Sequence, residues 1–111
     1  MVIAVRTDLG MSPGKTAAQV AHAAVMATLS ALGTPDLEEW LLQGQTKVVV
    51  RVAGLDELHE RVARARLAGV RASRVADAGH TELEPGTESC CAFGPASDEI
   101  LAPVTGDLPL L

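Results

Sequence analysis

The sequence predicts an α/β protein: a single compact domain over residues 1–111 with a four-stranded mixed, mostly parallel sheet and helices on both faces. Short apolar runs alternate with amphipathic stretches in the order strand, helix, strand, helix, strand, which is typical of right-handed crossovers between parallel strands. The strands are apolar throughout, as in a sheet covered on both sides. With 111 residues, 48% hydrophobic and 21% charged, the chain has enough apolar material for one core.

The first strand and the first helix have clear local signals. Residues 2–5 are a short apolar run rich in β-branched side chains. Ser12 is a suitable N-cap, and Pro13 suits the first helical position. The alanine-rich stretch that follows is predicted to continue as a helix to Gly33, because residues 34–35 (Thr-Pro) prevent its continuation.

The middle of the chain predicts a short helix, a strand and a second amphipathic helix. Residues 36–42 begin with a capping acid, and the polar residues 43–45 close this helix. Residues 48–52 give the clearest strand pattern in the sequence. Residues 56–68 combine apolar positions at helical spacing with charges between them, and Gly69 ends this helix.

The last third predicts two strands and a short final helix. The third strand covers residues 72–76 and is followed by a turn-rich segment rather than by a helix. The fourth strand, residues 89–93, is therefore expected to be antiparallel. It stops at Gly94-Pro95, and a short helix near residues 97–101 precedes an extended tail.

The charge distribution limits where an anion could bind. The net charge is −5, the wrong sign for a protein that holds nucleic acid mainly by neutralising phosphates. All nine basic residues lie between Arg6 and Arg74, and residues 77–111 carry seven acids and no base. Any anion-binding face must come from the first two-thirds. The arginines at 61, 64, 66, 71 and 74 are interpreted as one solvated surface; in the alternative interpretation, they supply a local basic face for an anion. An aromatic content of 2% disfavours a base-stacking platform.

Nothing in the sequence predicts a metal, a cofactor or a membrane span. Cys90 and Cys91 are adjacent, so in a strand they point to opposite faces and match neither a redox pair nor a zinc spacing. We interpret them as small buried apolar residues in a reducing compartment. The three histidines share no metal-ligand spacing. Residues 16–35 are uncharged but too rich in alanine and polar groups for a membrane helix.

Lys15, Gln19 and His22 are spaced so that they share one stripe of the first helix. Lys15 lies in the first turn, where free N–H groups and the helix dipole favour an anion. In the alternative interpretation, Gln19 and His22 are partners of buried backbone groups and Lys15 is exposed. Asp77 follows the third strand and projects from its carboxyl end, where ligands of such sheets collect; alternatively, it caps its own backbone in a turn.

Two familiar motifs fit poorly. Residues 10–16 look like a phosphate-binding loop, but only three residues separate Gly10 from Gly14, Leu9 occupies the required glycine position and Pro13 removes an N–H donor. A serine-hydrolase triad of Ser89 with histidine and aspartate lacks a nucleophile elbow.

Several separate blocks together resemble the type 2 peptidyl-tRNA hydrolase family of archaea and eukaryotes. The resemblance covers nearly the whole chain, and the order and spacing of the blocks are more specific than any one of them. They are Arg6-Thr7-Asp8-Leu9, Met11, Gly14-Lys15, Ala18-Gln19, His22-Ala23, Gln45-x-Lys47-Val48-Val49-Val50, Asp77-Ala78-Gly79-x-Thr81, Pro85-Gly86, Gly94-Pro95 and Val104-Thr105-Gly106.

This resemblance implies a cytoplasmic α/β enzyme, often dimeric, that hydrolyses the ester between a peptide and the tRNA ribose without a metal or other cofactor. The expected partners are peptidyl-tRNA as substrate and, in a homodimer, a second copy of the chain. Two alternatives remain open at this stage. In the first, the chain is a weak or inactive family member that acts as a binding or regulatory module. In the second, it hydrolyses a smaller acyl ester or binds a small anionic ligand.

The resemblance also implies roles for individual residues. It places Lys15 and Asp77 at the catalytic site, with the hydroxyls of Thr81 and Ser89 beside them. Ser89 stands where the family commonly has threonine, so the hydroxyl is kept and the methyl that restricts its rotamer is lost. The residues alone make His22 the candidate general base, because imidazole changes its protonation near neutral pH. Four residues of the matching blocks are expected to contact substrate: Arg6, Asp8, Gln19 and Lys47.

Overall fold

The computed structural model describes residues 1–111, and these form four strands and four helices in the predicted order. The elements are β1 (Val2–Arg6), α1 (Pro13–Ser30), α2 (Pro35–Leu42), β2 (Val48–Val52), α3 (Leu55–Ala68), β3 (Ala72–Ala76), β4 (Glu88–Phe93) and α4 (Asp98–Thr105).

The four-stranded mixed sheet is confirmed, and its order is β2-β1-β4-β3. β1 and β2 are parallel, whereas β4 runs antiparallel to both of its neighbours, as expected for a strand that follows a turn-rich segment. Three strands therefore run in the same direction. Because β4 lies between β1 and β3, however, only one neighbouring pair is parallel. The carboxyl ends of β1 and β3 and the amino end of β4 meet at one edge of the sheet.

Helices cover both faces of the sheet, as predicted. α1 and α2 pack on one face, where they bury Ile3, Val5 and Cys90; α3 and α4 pack on the other, where they bury Cys91 and Phe93. The two cysteines point to opposite faces and are free. Burial raises the pKa of Cys90 to about 11 and that of Cys91 to about 12, so both are neutral thiols within the core.

Local capping explains where α1 and α2 begin. The Ser12 side chain accepts a hydrogen bond from the Lys15 amide, and Pro13 opens α1 as predicted. α1 ends at Ser30, before Gly33. The N-cap of α2 is Thr34 and not the predicted acid, because the Thr34 hydroxyl accepts from the Leu37 amide.

α4 starts close to the predicted position but continues four residues beyond the predicted end. Pro103 lies inside the helix and lacks the N–H that would bond one turn back. The buried residues Leu101, Val104 and Thr105 hold this turn against the core, and the Thr105 hydroxyl donates to the Leu101 carbonyl. Tertiary packing thus outweighs the local cost of the proline.

Arg61 corrects the prediction that the arginines from 61 to 74 form one solvated surface. Arg61 is only 5% exposed to solvent, and its guanidinium donates hydrogen bonds to the Val104 carbonyl and to the Asp107 carboxylate. Glu57, one turn earlier on α3, lies 3.7 Å away. Arg61 therefore joins α3 to the end of α4 and cannot contact a substrate. Its guanidinium lowers the pKa of Asp107 from 3.8 to about 2.

This pair predicts a pH-dependent contribution to stability. Because the pKa of Asp107 is lower in the folded state than in the unfolded state, its contribution is complete above about pH 4 and is lost as the pH falls through 2. The difference in urea midpoint between the parent and Asp107→Asn should be largest near pH 6 and should shrink towards pH 2. Asp36→Asn, at an exposed acid, is the matched control. A difference that stays constant with pH would contradict this prediction.

Candidate active site

The predicted catalytic pair, Lys15 and Asp77, is in direct contact. Asp77 follows the last residue of β3, and Lys15 lies in the first turn of α1, which crosses β3 and β4. The Lys15 Nζ atom donates to Asp77 Oδ1 at 2.5 Å. The two side chains are only 12% and 5% exposed, so water screens their attraction weakly.

Two further donors fix the Asp77 carboxylate. Gln19 Nε2 donates to Oδ1 at 3.3 Å, and the Gly79 amide donates to Oδ2 at 2.7 Å. The hydrogen bond from Lys15, followed by that from the Gly79 backbone, lowers the pKa of Asp77 below its usual range. Asp77 is thus a carboxylate at neutral pH. It caps its own turn, as the alternative interpretation expected, and binds Lys15 with its other oxygen.

A β-bulge directs Ser89 into this cluster. Val75 of β3 pairs with Cys90 and Ala76 pairs with Glu88, so Ser89 is the extra residue on β4. Strict alternation would point Ser89 away from α1, but the bulge places it on the same face as Cys90. Its hydroxyl accepts from Gln19 Nε2 at 2.7 Å. Ser89 is fully buried and therefore lies behind Gln19, not at the surface of the site.

Gln19 joins the two halves of this cluster. One amide nitrogen contacts both Asp77 and Ser89, and the Gln19 backbone carbonyl accepts from the Cys90 thiol. Gln19 is therefore a buried member of the polar stripe on α1, and its side-chain amide is hydrogen-bonded to two other side chains. The alternative interpretation, in which Gln19 serves buried backbone groups, is wrong.

The loop of residues 77–87 carries Asp77 and closes on itself. The Asp77 amide donates to the Thr87 carbonyl at 2.8 Å, and the Asp77 carbonyl accepts from the Gly86 amide at 2.7 Å. Glu82, in the middle of the loop, accepts from both the amide and the hydroxyl of Ser12 at the start of α1. The loop is thus attached to the helix that carries Lys15.

A cleft of about 540 Å³ opens beside the pair. His22, one helical turn beyond Gln19, lies exposed on its wall. The lining includes Lys15, Gln19, His22, Met26, Asp77 and His80. A buried ion pair, an exposed imidazole and an open cleft form a site that can orient a polar substrate and a water molecule.

The comparison with known proteins identifies the family. A family model described as "Peptidyl-tRNA hydrolase PTH2" matches residues 1–111. The chain belongs to this family. Its relatives include peptidyl-tRNA hydrolases of Metallosphaera sedula (47% identical over 115 residues) and Saccharolobus islandicus (47% over 117). That of Saccharolobus solfataricus is 46% identical over 117 residues. Each alignment covers 100% of this chain and 98% of the relative.

Membership of the peptidyl-tRNA hydrolase family confirms the resemblance stated above, and the fold agrees with the α/β domain that it implied. Among the residues assigned by that resemblance, the structure brings together Lys15, Asp77, Gln19 and Ser89, with His22 on the wall of the same cleft. Thr81 lies in the loop of residues 77–87, where it is exposed and does not line the cleft.

The other residues expected to contact substrate do not line the cleft. Arg6 donates to both carboxylate oxygens of Asp8, at 3.0 and 2.7 Å, and to the Glu88 carbonyl at 3.0 Å. These bonds attach the end of β1 to the start of β4. Lys47 precedes β2, which begins beside the start of β1, so it lies at the opposite edge of the sheet from Asp77. Its ammonium stands 5.1 Å from the centre of the Trp40 ring.

Sequence reasoning missed Glu82 and the role of Gly79. Glu82 belongs to no local motif, because its partner Ser12 is 70 residues away. Gly79 stands in the quoted family block, and a glycine two residues after an aspartate was the detectable signal, because glycine readily adopts the positive φ of 81° that this turn has.

Within residues 1–111 no group of three His, Cys, Asp or Glu side chains is placed to hold a metal ion. None of the helices is long and apolar enough to cross a membrane.

Proposed function

We propose that this chain hydrolyses the ester that joins a peptide, or an N-blocked aminoacyl group, to the ribose of tRNA in the cytoplasm. Water adds to the ester carbonyl, the bond from the carbonyl carbon to the ribose oxygen breaks, and that oxygen takes up a proton. The observation that carries the proposal is the buried Lys15–Asp77 pair beside an open cleft in a member of the peptidyl-tRNA hydrolase family.

Asp77 orients the attacking water. A carboxylate whose pKa is lowered by a lysine and a backbone amide is a weak base, so it suits hydrogen bonding to water better than removal of a proton. Gln19 and Ser89 are positioning residues for Asp77. Ser89 holds the Gln19 amide from the buried side, and Gln19 contacts the carboxylate.

Lys15 stabilises negative charge. Its ammonium lies in the first turn of α1, on the wall of the cleft. An oxyanion that forms on the ester carbonyl, or a phosphate of the tRNA end, would be attracted by this charge. Thr81, exposed in the same loop as Asp77 but outside the lining of the cleft, is the hydroxyl available to contact the ribose or the tRNA end beside the cleft.

His22 is the candidate for the general base. It is exposed on the cleft wall, where an imidazole nitrogen can accept a proton from a water molecule. His22→Asn should lower kcat/KM for release of N-acetylated amino acid from tRNA by about 10²-fold, because asparagine cannot accept that proton; an unchanged kcat/KM would exclude His22 as the base.

The tRNA body requires contacts beyond the cleft. Arg6 and Asp8 act by holding β4, and Lys47 contacts only a part of the substrate remote from the ester. Binding is weak and salt-sensitive, as expected for a chain of net charge −5 that must release its product.

We also propose a homodimer. It is supported by the exposed apolar residues Val25 and Leu29 on α1 and Leu32 just beyond its end, and analytical ultracentrifugation tests it.

The experiment that tests this function measures release of an N-acetylated amino acid from tRNA at low and moderate salt. The matched substrates are the same tRNA with an unblocked amino acid and a minimal N-acetylaminoacyl ester without tRNA. We expect turnover of the blocked tRNA and much slower turnover of the minimal ester, because remote contacts contribute to catalysis. Equal rates on both would contradict recognition of tRNA, and no turnover at any salt concentration would overturn the proposed activity.

A further inference from the structure

The N-terminus of α1 is capped by residues from two distant parts of the chain. In the usual capping box the N-cap serine binds the third helical residue, and an acid at that third position reaches back to the serine amide. Here Ser12 makes the first contact, by accepting from the Lys15 amide at 3.2 Å. The third helical residue is Lys15 itself, which cannot make the second.

Glu82 makes that second contact from the loop of residues 77–87. Its Oε2 accepts from the Ser12 amide at 3.0 Å, and its Oε1 accepts from the Ser12 hydroxyl. These hydrogen bonds lower the pKa of Glu82, so it carries a negative charge at the positive end of the helix dipole. The cap is therefore complete although its third helical position is occupied by a lysine.

This arrangement leaves Lys15 available for the site. Two bridges now connect the start of α1 to the same loop: Lys15 to Asp77, and Ser12 to Glu82. The ion pair alone would hold only the start of the loop against α1, whereas the second bridge also holds its middle. Two bridges, five residues apart on the loop, fix both the separation and the angle of the Lys15 ammonium and the Asp77 carboxylate.

We propose that Glu82 is a positioning residue for the hydrolysis, and that it acts by completing the cap of α1 and holding the loop so that Lys15 and Asp77 are correctly aligned. The proposal rests on the proposed function. Because the alignment matters in the transition state, the loss of Glu82 should lower kcat more than it changes KM.

The test compares steady-state kinetics of the parent, Glu82→Ala and Glu82→Gln with N-acetylaminoacyl-tRNA. Glu82→Ala should lower kcat about fivefold, as expected for the loss of one helix-cap interaction, and should leave KM within about twofold. Glu82→Gln should restore kcat, because a carboxamide oxygen accepts from the Ser12 amide and its nitrogen donates to the Ser12 hydroxyl. Glu84→Ala is the matched control: it removes an acid from the same loop, and only the Glu84 backbone carbonyl takes part in hydrogen bonds.

A double variant tests whether Ser12 and Glu82 affect kcat through the same contact. If Ser12 and Glu82 act as one bridge, Ser12→Ala combined with Glu82→Ala should lower kcat less than the product of the two single effects. An active parent with unchanged kcat in Glu82→Ala, or an equal loss in Glu84→Ala, would overturn the positioning role and leave the proposed function intact. A parent without turnover would overturn the proposed function, and this proposal with it.

Discussion

Replacing Asp77 by Asn should lower kcat by about 10²–10³-fold, because it removes the charge that orients the attacking water and pairs with Lys15. Asparagine has the same shape, so the Gly79 amide can still bond to its oxygen. The Lys15 ammonium, by contrast, loses its anion in a site that is largely shielded from water. The measurement is single-turnover release of N-acetylated amino acid from tRNA, which reports the chemical step directly.

Thermal melting separates this effect from unfolding. Asp77→Asn leaves the Lys15 ammonium without its anion in a site shielded from water, so its melting temperature should fall, and turnover is compared at a temperature well below the melting transition of both proteins. Asp56→Asn, at an exposed acid in the first turn of α3, should retain parental activity. If Asp77→Asn keeps more than a third of the parental rate, Asp77 does not orient the water.

Local sequence signals were sufficient to predict the strands and helices, but not which strands lie next to each other in the sheet. Ser12 and Pro13 mark the start of α1, and Gly69 adopts the left-handed conformation that ends α3. The insertion of β4 between β1 and β3 depends on pairing between residues about 90 positions apart, such as Val2 with Phe93. No periodicity within a short window contains that information, so the fraction of parallel pairs was not predictable.

The site was predictable to the same extent. The helical spacing of Lys15, Gln19 and His22 predicted a common stripe, and Asp77 was expected at the carboxyl end of a strand. The contact between Lys15 and Asp77 joins positions 62 residues apart and appears only in the folded chain. The bulge that turns Ser89 towards α1 breaks the alternation on which strand predictions rely.

The burial of Arg61 could not be predicted from its sequence pattern. Its spacing among charged residues is that of a solvated helix face, and only the folded chain brings Asp107 and the Val104 carbonyl to its guanidinium. A buried arginine that finds partners 43 and 46 residues away has no local signature. The same limit hid Glu82, whose contact with Ser12 determines how the loop meets α1.

Gly79→Ala should lower kcat/KM by about 10- to 100-fold while the sheet remains folded. A Cβ atom at Gly79 would lie 2.5 Å from Pro85 Cγ and 2.8 Å from the Pro85 backbone nitrogen. Because backbone atoms are involved, rotation of a side chain cannot relieve the clash, so the loop must move. That movement takes the Gly79 amide away from Asp77 Oδ2, and the carboxylate loses one of its three donors.

Gly86→Ala is the matched control within the same loop. The φ angles of Gly79 and Gly86 are 81° and 82°, so alanine pays the same backbone cost of about 1 kcal/mol at either position. A Cβ at Gly86, however, has no neighbour within 4 Å. Gly86→Ala should therefore melt at a slightly lower temperature and keep its activity within about threefold of the parent.

Equal losses of kcat/KM in the two variants would mean that backbone strain, and not the contact between Gly79 and Pro85, governs the alignment of Asp77. Only a loss specific to Gly79→Ala supports a loop whose close packing sets the geometry of the carboxylate.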